Sequence, residues 1–138
     1  MNVIILGAGH VGSTLAQKLS DIGHRVTVIE KDPHAVSLIP RNRVDSGSII
    51  FIHKDGSKAS SMVDAGIVDA DAFIATTGND SLNGLTAQRA KIVFGVEKVI
   101  TAVKGEGSRV LHESLGITTI NKSNLASDQL VTHLSELG

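Results

Sequence analysis

The chain has 138 residues, 41% hydrophobic and 20% charged, with a formal net charge of −1. That length suits one domain with a buried core, and the balanced charge with no Trp or Tyr argues against a nucleic-acid surface. The absence of Cys excludes disulfides, thiol catalysis and thiolate metal sites.

Residues 2–6, Asn-Val-Ile-Ile-Leu, form an apolar, largely β-branched run without alternation, the pattern of a parallel strand covered on both faces. The run leads directly into Gly7-Ala8-Gly9-His10-Val11-Gly12, a G-x-G-x-x-G sequence, and then into a helical pattern. That context marks a dinucleotide fingerprint. Gly7 permits the tight turn, Gly9 lets a pyrophosphate approach the backbone, and Gly12 lets the helix pack close to the sheet. The free N–H groups at the helix start then hold the phosphates. The helix is expected over 10–22, with Val11, Leu15, Leu19 and Ile22 on one stripe and Gly23 closing it.

A second strand over 25–29 ends on Glu30, 18 residues after Gly12. A carboxylate there accepts both ribose hydroxyls of an adenosine and repels a 2′-phosphate. Lys31 stands where it can offset a phosphate, or it is simply solvated. Asp32-Pro33 reads as the cap and first residue of a short helix that stops at Pro40, and residues 41–48 read as polar turn. Ile49-Ile50-Phe51-Ile52 is a third strand, followed by His53-Lys54-Asp55-Gly56. In a doubly wound sheet ligands bind at this edge, so Asp55 is either an adenine contact or an Asx turn before the next helix. That helix is expected over 57–65, with Ala59, Met62 and Val63 inward.

Strand four is 72–75, and Thr76-Thr77-Gly78-Asn79-Asp80 follows it. Asn79 and Asp80 suit a helix cap, and Gly78 lets the loop close on a ligand. The helix to Phe94 is expected to bury Leu82, Leu85, Ala90 or the Arg89 stem, and Val93, with Asn83 one turn inside it. Strand five is expected over 99–103, a helix over 108–115, a sixth strand over 117–120, and a last helix over 123–137 with Leu130, Val131, Leu134 and Leu137 on one side. Together these predict an α/β fold, a Rossmann doubly wound parallel six-stranded sheet ordered 3-2-1-4-5-6, with residues 1–138 as a single nucleotide-binding domain. Apolar runs of about four residues fall far short of a membrane span, and no secretion signal precedes them, so a soluble, intracellular protein is expected.

The order of motifs resembles the N-terminal nucleotide-binding domain of the regulators of potassium conductance, the TrkA-type domain. The resemblance is carried by Ile-Leu-Gly-Ala-Gly-His-Val-Gly (5–12), Val-Ile-Glu-Lys-Asp (28–32) and Lys-Asp-Gly-Ser (54–57). The run from Asp64 to Asn83 and the closing Leu-Gly-Ile-Thr-Thr-Ile-Asn-Lys-Ser (115–123) complete it. The resemblance implies that Gly7, Gly9 and Gly12, with His10 and Val11 between them, cradle phosphates, that Glu30 holds the ribose, and that Asp55 reaches the adenine. It further implies that Thr77, Gly78, Asn79 and Asp80 close on the nucleotide with Asn83 behind them. The ligand implied is NAD(H), with AMP, ADP or ATP as alternatives. The implied partner is a membrane potassium transporter or channel subunit, engaged through a homodimer or higher even oligomer on the cytoplasmic side, with the last helix as the dimerisation helix. Lys54 precedes Asp55 where relatives often have Gly, His10 fills a position that is frequently Arg or Gln, and Ala102 replaces a basic residue, leaving Lys104 as the nearest cation.

The rival reading is a stand-alone NAD(P)-dependent oxidoreductase or an NAD-binding domain unrelated to transport. A Tyr-x-x-x-Lys relay needs a tyrosine and a thiol mechanism needs a cysteine, and the chain has neither. The six histidines are scattered at spacings unlike a metal site. His24, His34, His112 and His133 are expected at the surface and His53 at a partly buried strand end. A ligand-sensing module without catalysis is therefore expected.

Overall fold

The computed structural model describes residues 1–137. Six strands, β1 (Asn2–Leu6), β2 (Arg25–Glu30), β3 (Ile49–His53), β4 (Ala72–Ala75), β5 (Lys98–Ala102) and β6 (Thr118–Ile120), form one parallel sheet ordered β3-β2-β1-β4-β5-β6. This is the expected doubly wound order. Side chains alternate across the sheet, so Ile4 and Leu6 join Ile29, Phe73, Met62 and Ile67 in one apolar layer. Val3 and Ile5 join Val26, Val28, Ile49 and Ala16 in the other. Strand order reverses between β1, which pairs with β2, and β4, and the loops leaving those strands diverge there to open a crevice.

The helices depart from expectation in which side chains they bury. In α1 (His10–Asp21) the core face is Gly12, Ser13 and Ala16, while Val11 is exposed, Ile22 is 71% exposed, and Leu15 and Leu19 are half-buried. The cause is the short turn from β1, which brings the helix backbone so close to the strand that only small residues fit. Residues 41–48 are not all turn: Pro40, with φ of −54°, precedes α2 (Arg41–Asp45), whose Val44 packs on the second layer. The segment before it is a 3-10 helix, Pro33–Leu38, capped as expected by Asp32, which accepts from the His34 N–H.

The helix α3 (Ala59–Asp64) turns Ser61 and Met62 inward, and Ala59 and Val63 face outward. In α4 (Asp80–Gln88) Asn83, Gly84, Thr86 and Ala87 face the sheet. A π turn, Arg89–Val93, continues α4, and the expected inward Leu85 and Val93 are exposed. Small and hydrogen-bonded residues take the inner face because α4, like α1, approaches the sheet closely: the Thr86 hydroxyl donates back to the Leu82 carbonyl. The next helix, α5 (Glu106–Ser114), starts earlier than expected, with Arg109 bridging Glu106 and Glu113 one turn to either side. The last, α6 (Lys122–Leu137), has all its described side chains exposed, Leu130, Val131 and Leu134 among them. The expected placement of Leu137 lies outside the described side chains. Among the described residues no helix is long and apolar enough to cross a membrane.

Candidate functional site

The crevice at the strand-order reversal has a volume of about 430 Å³. Its floor is apolar, formed by Leu6, Ile29 and Leu82, and its rim carries Gly7, Gly9, Glu30, Lys31, Asp55, Thr77, Gly78 and Asn79. Eight of the expected site residues therefore meet in one place, and a mostly apolar cleft with a few convergent polar groups is the usual form of a small-molecule site.

Each wall is built by a local device. Gly7 has a φ of +102°, a conformation that L side chains rarely adopt, and its N–H donates to the Ile29 carbonyl. A Cβ on Gly12 would lie 2.0 Å from the Gly7 carbonyl oxygen, so this pair of glycines sets how closely α1 enters the sheet. Gly9 precedes α1 without a side-chain cap, and a Cβ there would meet nothing within 4 Å. Gly9, immediately before the first turn of α1, thus lines the crevice with open space beside it.

Beside the fingerprint loop, the half-buried Glu30 accepts from the Ala8 N–H at 3.0 Å through Oε1 and from the Asp32 N–H at 3.2 Å through Oε2. Both oxygens are oriented by backbone and each retains lone-pair capacity for a ligand hydroxyl. Asp55 accepts from the Ser57 N–H at 2.9 Å. That hydrogen bond, followed by the Lys31 and Lys58 charges, holds its carboxyl below the ordinary value. The Asx turn is thus formed, and Asp55 lines the crevice as well.

The third wall is the loop after β4. Asn83 is fully buried and does not line the crevice. Its Oδ1 accepts from the Thr77 N–H at 3.0 Å and from the Thr77 hydroxyl, and its Nδ2 donates to the Thr77 and Ala102 carbonyls. Three of these four bonds hold Thr77, and the fourth ties Asn83 to the end of β5. Asn79 caps α4 by accepting from the Leu82 N–H, and Asp80 accepts from the Lys104 N–H at 3.0 Å.

His10, Val11 and Lys104 do not line this crevice. His10 and Val11 face an outer groove along α1 with Thr14 and Lys18. Lys104 lines an adjoining cavity of about 240 Å³ that shares Thr77 and Gly78 with the crevice. Two further groups were not anticipated. Thr76 lines the crevice, and its hydroxyl oxygen is buried with no hydrogen-bond partner among the described residues. Lys122, on the first turn of α6, donates to the Thr76 carbonyl at 3.3 Å and lines the adjoining cavity. No local sequence signal joins residues 46 apart.

Two histidine expectations are corrected. His53 is exposed, not partly buried, and its ring bonds to the Lys31 carbonyl at 2.6 Å, tying β3 to the turn after β2. His112 is buried, not at the surface: it contacts the Ser108 carbonyl and Gln88, in space left by Gly84, where a Cβ would lie 3.2 Å from its Nε2. Among the described residues no group of three or more His, Cys, Asp or Glu is placed to hold a metal ion.

The crevice thus brings together the open backbone at Gly9, the backbone-fixed carboxylate of Glu30 and the Asp55 carboxylate. Comparison with known proteins gives the family. The model of the TrkA-N domain matches residues 3–122. The chain is 33% identical over 138 residues to the Trk system potassium uptake protein TrkA of Streptomyces coelicolor, covering all of this chain and 60% of that protein. It spans less than two thirds of the length of the curated relatives it matches. Among solved structures it is similar to the TrkA-N domain of the inner membrane protein ybaL from Escherichia coli, with a TM-score of 0.82 and 17% identity over 96% of both chains. It is similar to the Kef C-terminal domain of Shewanella denitrificans in its AMP-bound form, with a TM-score of 0.81, 18% identity, and coverage of 100% of this chain and 82% of that one. It is also similar to the GsuK channel bound to NAD, with a TM-score of 0.68, 16% identity, and coverage of 86% and 21%. These structural likenesses establish a shared fold, and the family match over 3–122 carries the assignment: the chain belongs to the TrkA-N domain family.

Proposed function

We propose that the chain is a single nucleotide-sensing regulatory domain that binds NAD(H), with AMP, ADP or ATP as alternative ligands, and signals to a membrane potassium transporter or channel subunit. The observation that carries this reading is the crevice itself, where the open backbone of Gly9 and the backbone-fixed Glu30 carboxylate line one space. Gly7, Gly9 and the start of α1 hold the phosphates, Glu30 takes the ribose hydroxyls, and Asp55 meets the adenine. Thr77, Gly78 and Asn79 close over the ligand, and Asn83 holds them from behind. A longer ligand continues past Gly78 toward Lys104 and Lys122. His10 and Val11 border the phosphates from the outer side of the fingerprint. Structural neighbours bound to NAD and AMP support the choice of ligands.

The domain acts as a sensor, not a catalyst. NAD(H) would supply a binding signal here, and the sequence offers no tyrosine or cysteine for the usual relays. An effector shifts an equilibrium only through unequal affinity for two states. Ligands differing beyond the first phosphate reach the β4 loop and Lys122 differently, and so act on α6. The exposed Leu130, Val131 and Leu134 of α6 suit contact with a second copy in a homodimer or higher even oligomer. In the cell the domain sits on the cytoplasmic side, held near the membrane by its partner.

Calorimetric titration with NAD+, NADH, AMP, ADP and ATP tests the reading. Saturable binding of at least one is expected. Glu30→Ala is expected to weaken it by about 1–3 kcal/mol, the value of a charge-assisted hydrogen bond. Binding of none of the five overturns it.

A further inference from the structure

Arg89 opens the π turn that extends α4, and it is half-buried. Its guanidinium forms no ion pair among the described residues. A partly buried charge without a carboxylate is costly unless its hydrogen bonds are well placed. Here Nη1 donates to the Ser57 carbonyl at 2.9 Å, across 32 residues of sequence, and lies 3.8 Å from the sulfur of the fully buried Met62. Ser57 in turn donates its N–H to the Asp55 carboxylate at 2.9 Å. The turn that carries Asp55 is otherwise closed by short-range bonds, such as the Lys58 N–H to the Asp55 carbonyl and the Lys54–Asp64 ion pair.

The π turn explains the reach. Its five-residue hydrogen bond, from the Phe94 N–H to the Arg89 carbonyl, widens the helix at this point. From there the side chain extends to the start of α3 rather than along the helix surface. The same helix therefore steadies two walls of the crevice: Asn83 holds the loop after β4, and Arg89 holds the turn after β3.

We infer that Arg89 is a positioning residue for base recognition, fixing the Asp55 carboxylate through Ser57 so that the site selects a purine bearing an amino group at C6. The inference rests on the proposed reading in which Asp55 meets the adenine. A carboxylate accepts a hydrogen bond from that amine but gains nothing from the carbonyl oxygen that hypoxanthine carries there. A site built around such a bond rejects the analogue that lacks it. Once Asp55 is released from its fixed position, the contact is shared with solvent and the preference fades.

The test is calorimetric titration of the full chain with AMP and IMP, for the natural sequence, Arg89→Met and Arg89→Lys. The natural sequence should prefer AMP by about tenfold or more. Arg89→Met keeps the apolar stem and should lose most of that preference, by weakening AMP while leaving IMP within about twofold. Arg89→Lys retains one donor for the Ser57 carbonyl and should recover part of it. An unchanged AMP-to-IMP ratio in Arg89→Met, or an equal loss for both nucleotides, overturns the inference and leaves nucleotide binding standing. Should Arg89→Met fail to fold, the lysine variant decides: no fall in the ratio relative to the natural sequence is likewise a refutation. Failure of the natural sequence to bind either nucleotide removes the underlying reading and this one with it.

Discussion

Replacing Gly9 and Gly12 separately by alanine distinguishes a glycine kept for a ligand from one kept for packing. Gly9 has φ of −69° and ψ of −167°, backbone that alanine adopts freely, and an added methyl meets nothing within 4 Å. Gly9→Ala should therefore fold as well as the natural chain, or be more stable by about 0.4–1 kcal/mol through a less flexible unfolded state. The same methyl at Gly12 lies 2.0 Å from the Gly7 carbonyl oxygen and 3.0 Å from its carbon. Those are backbone atoms, so α1 must retreat by more than about 1 Å to restore normal contact. Overpacking of this kind costs about 1–3 kcal/mol, and a backbone overlap this deep lies at the upper end, so about 1 kcal/mol of helix propensity leaves a net loss of about 2 kcal/mol. Each net kcal/mol lowers the melting temperature of a domain this size by about 4 °C. Thermal melts and NAD+ titration read the two effects separately. Gly9→Ala should melt no lower than the natural chain yet bind NAD+ about tenfold or more weakly, a loss of at least about 1.4 kcal/mol. Gly12→Ala should melt lower by several degrees. A Gly9→Ala protein with full affinity, or a Gly12→Ala protein with an unchanged melting temperature, would refute the reasoning.

Asn83→Ala leaves the half-buried Thr77 N–H without its acceptor and a small void where the buried amide stood, and should cost about 1–3 kcal/mol, measured by denaturant unfolding; no loss would mean that the loop is held by something else. Asp55 has a pKa lowered by the Ser57 N–H, so its stabilising effect is present above the ordinary carboxylate value of 3.8 and fades as pH falls through the lower folded value. Asp55→Asn should accordingly melt lower than the natural chain at pH 7, with the gap narrowing below about pH 4; a gap that widens in acid contradicts the sign. By sedimentation velocity the full chain is expected to be a homodimer or higher even oligomer and the chain lacking residues 123–138 a monomer; the same oligomer in both would remove α6 from the proposed interface.

Strand positions were legible because a sheet covered on both faces demands continuous apolar runs, and residues 3–6 and 49–52 contain little else. The glycine turn was legible because three small residues at that spacing have few other uses. The buried faces of the helices were not. Apolar periodicity ranks Val11, Leu85 and Val93 as core residues, whereas close approach to the sheet selects Gly12, Ser13, Gly84 and Ala87. The small residues win because each larger side chain would lever its helix away from the strand. His112 was hidden for a related reason. A polar residue in a helix reads as exposed, and only the tertiary fold reveals the space beside Gly84 that receives this ring. The crevice was anticipated through motifs on separate strands, Gly7 to Gly9, Glu30, Asp55 and Thr77 to Asn79, because one sheet edge collects them all. Thr76 and Lys122 escaped notice, since their pairing depends on where α6 begins relative to β4.

The most direct measurement is a crystal structure of the chain grown or soaked with NAD+. The pyrophosphate is expected at the open backbone of Gly9 and the start of α1, with the adenosine ribose on the Glu30 carboxylate. Density for the ligand elsewhere, or a ligand in the crevice whose ribose hydroxyls avoid Glu30, would contradict it.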